Sequence, residues 1–141
     1  MKVSEALQTI GNTSYLTVEE DCPLKEVARK IAGLEQVRGL YLVDPEGRLK
    51  GSVSLGALIR SIMAIRRPHS FTRTLSLITA ESVSDIADKH VIYALEDDDI
   101  EEVLERMAAH NIKEIPVVDR ERRIIGNVGI LPLWNLVESA A

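Results

Sequence analysis

At 141 residues, 45% of them apolar and 28% charged, the chain has the size and composition of one folded domain or two very small ones. Its single cysteine, Cys22, excludes an internal disulfide framework and every multi-cysteine zinc or iron–sulfur motif, and predicts a reducing, cytoplasmic setting. The net charge of −5 argues against nucleic acid or an anionic membrane as the main partner, and no membrane segment is expected, since the longest uncharged run, Ile124 to Val137, is too short and too polar to span a bilayer.

In chain order, Tyr15 to Val18 reads as a short strand. Leu24, Val27, Ala28 and Ile31 then follow helical spacing, and Pro23 suits the first turn of that helix. Two β-rich runs follow, Leu40 to Val43 and Leu49 to Ser54, around Asp44-Pro45-Glu46-Gly47, whose Pro and Gly positions fit a type I turn initiated by the Asp side chain. A second helix is expected over Leu55 to Ile65. Pro68 then breaks any continuation.

The same order returns. Val91 to Leu95 reads as a strand, and Ile100, Val103, Leu104, Met107 and Ala108 mark a helix whose start resembles a capping box from Asp98 to Glu101. Ile115 to Val118 and Ile124 to Val128 form a second hairpin, and Leu131 to Ser139, with Leu133, Trp134 and Val137, form a closing helix.

This return is an internal repeat. Leu40-Tyr41-Leu42-Val43-Asp44 is echoed by Ile115-Pro116-Val117-Val118-Asp119 at an offset of 75, and Glu20-Asp21 by Glu96-Asp97 at 76. Val3-Ser4-Glu5 is echoed by Val83-Ser84-Asp85 at 80. The expected organisation is therefore an α+β fold of two β-α-β-β-α repeats, residues 1–65 and 83–141, joined by a linker at 66–82.

Two stretches, Ile115-Pro116-Val117-Val118-Asp119 and Glu46-Gly47-Arg48-Leu49-Lys50-Gly51, placed after helices in both copies, resemble the cystathionine-β-synthase (CBS) domain pair. The resemblance implies that the repeats pack sheet to sheet as one pseudo-two-fold module, that such modules dimerise, and that the role is regulatory. The ligands it implies are adenosyl compounds, namely AMP, ADP, ATP or S-adenosylmethionine, held in the cleft between the repeats. It also implies a first-repeat site lined by Ser14, Tyr15, Arg38, Gly39, Leu40 and Ser54; beside it, Arg60, six residues after Ser54 on the following helix, offers positive charge to a phosphate tail.

Nucleotide-binding members carry a hydroxyl residue three positions after the strand's Gly, for phosphate, and an Asp three positions later, for ribose. Counting from Gly51 gives Ser54 and Ala57; counting from Gly126 gives Gly129 and Pro132. Neither copy has the ribose Asp, and the second lacks the hydroxyl as well.

Each candidate carries a plainer reading. Ser54 serves phosphate or caps the next helix. Arg66, Arg67, His69 and Arg73 offer a phosphate tail guanidinium and imidazole donors, or form a solvated linker. Asp44 and Asp119 read as turn initiators. Asp97, Asp98 and Asp99 offer hard oxygens to Mg²⁺, as in the similar CBS repeats of bacterial magnesium channels, or simply favour a helix N-terminus. No nucleophile, base and oxyanion donors assemble, so no enzymatic activity is expected. The leading expectation is a cytoplasmic, homodimeric, ligand-sensing module without nucleic acid as a partner. Its rivals are a ligand-free dimerisation or protein-interaction module and a Mg²⁺ sensor.

Overall fold

The computed structural model of the chain describes residues 1–66 and 82–140. Its elements are α1 (Val3–Ile10), β1 (Tyr15–Glu19), α2 (Leu24–Ile31), β2 (Gly39–Val43), β3 (Leu49–Val53), α3 (Leu55–Arg66), a 3₁₀ turn (Val83–Ile86), β4 (Ala94–Leu95), α4 (Ile100–Ala109), β5 (Glu114–Val118), β6 (Ile124–Gly129) and α5 (Ile130–Ala140). They form two three-stranded sheets, ordered β1-β2-β3 and β4-β5-β6. The mixed α+β class expected from the periodicities is the class observed.

Helix α1 is an addition to the sequence reading. Val3, Ala6, Leu7 and Ile10 fall on one face; Val3 and Ala6 are buried, and Leu7 and Ile10 pack beside them. Gly11 stops the helix with φ 75°, its N–H donating to Leu7 O at 2.9 Å. At the start of α4 the cap is Asp99, one residue later than expected. Its carboxylate accepts from Glu101 N–H at 3.1 Å, whereas Asp98 accepts from Leu95 N–H at 3.0 Å and meets Arg106 at 3.2 Å.

In the second sheet β4 runs parallel to β5, with Ala94 opposite Val117, and β5 runs antiparallel to β6 from Glu114 opposite Gly129 to Val118 opposite Ile124. A bulge lies between Val117 and Val118. The turn expected at Asp119 forms: its carboxylate accepts from Glu121 N–H and Arg123 N–H, each at 2.9 Å.

The chain divides into two compact units. One comprises Met1–Tyr15, Glu46–Leu49 and Ile92–Ala141; its core joins Val3 and Ala6 of α1 to Ala94, Val103, Met107, Ile115, Val117, Val128 and Leu133. Within it, Val3 N–H donates to Asp98 O at 2.9 Å and Ser4 N–H to Glu96 O at 3.0 Å. The other comprises Leu16–Pro45 and Lys50–Val91; its core joins Val83 to Val18, Cys22, Leu24, Val27, Leu40, Leu42, Val53, Leu58 and Ile62. There Val83 N–H donates to Cys22 O at 2.9 Å and Ser84 N–H to Glu20 O at 3.2 Å. The two Val-Ser echoes thus make equivalent bonds, each closing a core built mainly from the other copy's sequence. Burial removes the apolar face of a short helix or turn that could not hide it alone.

Candidate functional site

The unit holding Leu16–Pro45 and Lys50–Val91 contains the retained hydroxyl. Gly51 and Val53 of β3 are buried while Lys50 and Ser52 are not, so the intervening side chains alternate, and Ser54 continues the outward set. A connection of five residues between the neighbouring strands β2 and β3 permits only antiparallel pairing. By the 75-residue offset, the pairing of Glu114 with Gly129 corresponds to Gly39 with Ser54. Arg38, Gly39 and Leu40 therefore share one end of the sheet with Ser54. A Cβ on Gly39 would fall 2.9 Å from the Tyr41 ring, so a side chain there would require that ring to move.

Ser54 performs its plainer role. Its hydroxyl accepts from Ala57 N–H at 3.1 Å and so caps α3. Capping uses one lone pair and leaves the hydroxyl's own hydrogen free to donate outward. Ser54 is exposed, and among the described residues nothing lies within 4 Å of where a Cβ on Gly56 would be, so none of them covers the first turn of α3. Arg60 is exposed further along α3. Arg66 ends that helix, and Arg67, His69 and Arg73 lie outside the described residues.

The strand beside Ser52 has a neighbour that the sequence reading missed. Ser52 and Asp88 form an antiparallel bridge, with Ser52 N–H to Asp88 O at 2.9 Å and Asp88 N–H to Ser52 O at 2.8 Å. The Asp88 carboxylate accepts from His90 N–H through Oδ1 at 2.9 Å. The offset of 75 relates Asp88 to Thr13, which makes the corresponding contact in the other unit: Thr13 N–H donates to Asn127 O at 2.8 Å, and Asn127 Nδ2 donates to Thr13 O at 3.3 Å. Asn127 is fully buried, and its own N–H is satisfied by Asn12 Oδ1 at 3.0 Å. Ser14 and Tyr15 continue from Thr13 in that unit, and burial pushes the Tyr15 phenol above its ordinary value. The offset was legible in the sequence, but the partner of each segment was not.

Around Gly129 there is little room. A Cβ there would lie 3.1 Å from Thr13 Oγ1 and 3.3 Å from Pro132 Cδ. The second copy therefore lacks the hydroxyl, lacks the carboxylate, and has a proline ring and a threonine hydroxyl close by.

The acidic run spreads out. Asp97 meets Lys2 at 3.6 Å and Arg120 at 3.4 Å, Asp98 meets Arg106, and Asp99 meets the Met1 ammonium at 3.3 Å. Three carboxylates engaged with separate cations do not fit a shared divalent ion, and no group of three or more metal-ligating side chains occurs among the described residues.

Two β-α-β-β-α repeats in tandem, each with a strand carrying a Gly at its third residue and running into a helix, define a CBS pair, and the family model described as the CBS domain matches residues 3–64 and 83–137. The chain belongs to the CBS domain family. Over 131 residues, 90% of this chain, it is 31% identical to the magnesium transporter MgtE of Thermus thermophilus, of which it spans 26%. The cytosolic domain of the Mg²⁺ channel MgtE in complex with ATP is similar at 30% identity and a TM-score of 0.68, covering 89% of this chain and 47% of that one. A CBS domain-containing protein from Thermotoga maritima is similar at 27% identity and a TM-score of 0.69, covering 99% of this chain and 95% of that one.

Proposed function

We propose that the chain is a non-catalytic, cytoplasmic regulatory module that senses an adenosyl nucleotide at the outward edge of β3 and the first turn of α3. The observation that carries this reading is Ser54, whose hydroxyl caps α3 while keeping its hydrogen available for a phosphate oxygen above an open helix start. The ATP complex of the similar MgtE cytosolic domain supports it. Arg38 and Arg60 supply guanidinium groups on the flanking elements.

The test is a thermal-shift panel of AMP, ADP, ATP, S-adenosylmethionine and Mg²⁺. A ligand at 100 times its Kd stabilises the folded state by about 2.7 kcal/mol, so one adenosyl compound is expected to raise the melting temperature and Ser54→Ala to reduce that rise. No shift with any adenosyl compound rejects the reading.

A second reading, dimerisation as the function itself, rests on exposed apolar side chains. Leu131 is 67% exposed and Trp134 47% on α5, and Ile59 and Met63 are exposed on α3. Such residues mark interfaces, and a two-fold homodimer is the commonest closed solution.

A further inference from the structure

We propose that Asp88 supplies the carboxylate that binds the ribose hydroxyls of the nucleotide at the Ser54 site, a role that Ala57 leaves open; this rests on the nucleotide-sensing reading above. The position is fixed by backbone. Two reciprocal hydrogen bonds, 2.9 and 2.8 Å, lock Asp88 opposite Ser52, and paired residues in an antiparallel bridge project their side chains to the same face. That face is the outward one, since Ser52 alternates with the buried Gly51 and Val53. Ser54 follows directly on β3, two residues beyond Ser52, so Asp88 lies diagonally from it, at the separation of about 7–8 Å or somewhat less that diagonal neighbours in a ladder have.

The carboxylate is also poised. Oδ1 is turned back onto His90 N–H at 2.9 Å, which fixes the side chain's direction, while Oδ2 has no hydrogen bond among the described residues. Asp88 is exposed, so a ligand gains its charge without the protein having buried it. A hydroxyl that donates and a carboxylate that accepts, set diagonally apart at one sheet edge, match the two ends of a nucleoside 5′-phosphate. An acidic side chain accepting from ribose hydroxyls is a general device in nucleotide recognition.

The other unit shows what this arrangement needs. Its residue at the place of Asp88 is Thr13, and that of Ser54 is Gly129, so the carboxylate is absent and the hydroxyl beside Gly129 is that of Thr13. One nucleotide per chain follows.

The experiment is calorimetric titration of ATP and 2′,3′-dideoxy-ATP into wild type, Asp88→Ala and Asp88→Asn, with Ser54→Ala beside them. Charge-assisted bonds to ribose are expected to favour ATP over the dideoxy compound by at least about tenfold in wild type, at one site per chain. Both Asp88 variants are expected to lose most of that preference while binding the dideoxy compound nearly as wild type does. Asp88→Asn retains an oxygen for His90 N–H and keeps the comparison decisive if Asp88→Ala fails to fold. A preference unchanged in Asp88→Asn, or absent from wild type, overturns the role of Asp88 and leaves nucleotide sensing standing. Failure of wild type to bind ATP overturns the role of Asp88, and nucleotide sensing falls with it only when AMP, ADP and S-adenosylmethionine fail to bind as well.

Discussion

The guanidinium of Arg122 stands 4.8 Å from the centre of the Tyr93 ring, and it does so from a left-handed backbone with φ 69°. The equivalent residue of the first repeat is Gly47, with φ 84°. One turn thus uses glycine for a conformation that the other forces on an arginine, and the ring contact offsets the strain. An L-residue in this region costs roughly 1–2 kcal/mol, and an exposed cation–π contact returns about 0.5–1 kcal/mol. Arg122→Ala keeps the strain and loses the contact, so it is expected to destabilise by about 0.5–1 kcal/mol. Arg122→Gly loses the contact and relieves the strain, and is expected to be more stable than Arg122→Ala in urea unfolding. The reverse order would remove the backbone argument.

Gly126 leaves room for the Asn12 carboxamide. A Cβ on Gly126 would sit 2.5 Å from Asn12 Oδ1 and 3.0 Å from Leu7 Cδ1. Gly126→Ala is therefore expected to expel the group that satisfies the buried N–H of Asn127, at a cost of about 1–3 kcal/mol. Asn12→Ala removes the same acceptor directly. The double variant is expected to lose less than the two single losses added together, because both act through one bond. Additive losses in denaturant titration would show that the two residues act separately.

Asp99 caps α4, and Asp99→Ala is expected to cost about 1 kcal/mol. Asp98→Ala, which frees Leu95 N–H and parts from Arg106, is expected to cost at least as much. Both losses are expected to be equal with and without millimolar Mg²⁺. Calorimetric Mg²⁺ binding that vanishes when Asp97, Asp98 and Asp99 are neutralised would restore the metal reading.

Trp134 is half exposed on α5 and is expected to anchor the proposed homodimer. Wild type is expected to sediment as a dimer at tens of micromolar, and Trp134→Ala to weaken association by about 2 kcal/mol or more without unfolding. A monomeric wild type in analytical ultracentrifugation rejects the dimer.

Much of the architecture is written in the local pattern. The helical spacing of Leu24, Val27 and Ile31 and of Ile100, Val103 and Met107 places those residues in the cores, because period and burial are one physical fact for an amphipathic element. Asp119 organises its turn through its own neighbours, as a short polar side chain can. The cap of α4 slipped from Asp98 to Asp99, since consecutive aspartates offer equal chemistry and only backbone geometry chooses between them. Ser54 too was legible, by its count from Gly51.

What the sequence could not determine is which segments meet across long separations. The echo of Val3 and Val83 shows that two elements are alike, but not that each closes a core formed mainly by the other copy. Likewise Asp88 looks like an ordinary polar residue before a strand until its backbone is found paired with Ser52. Local propensity acts over a few residues, whereas these pairings are decided by which distant apolar faces remain uncovered once each repeat has formed. Only the tertiary structure therefore paired the backbone of Asp88 with that of Ser52, two residues from the hydroxyl that the repeat had retained.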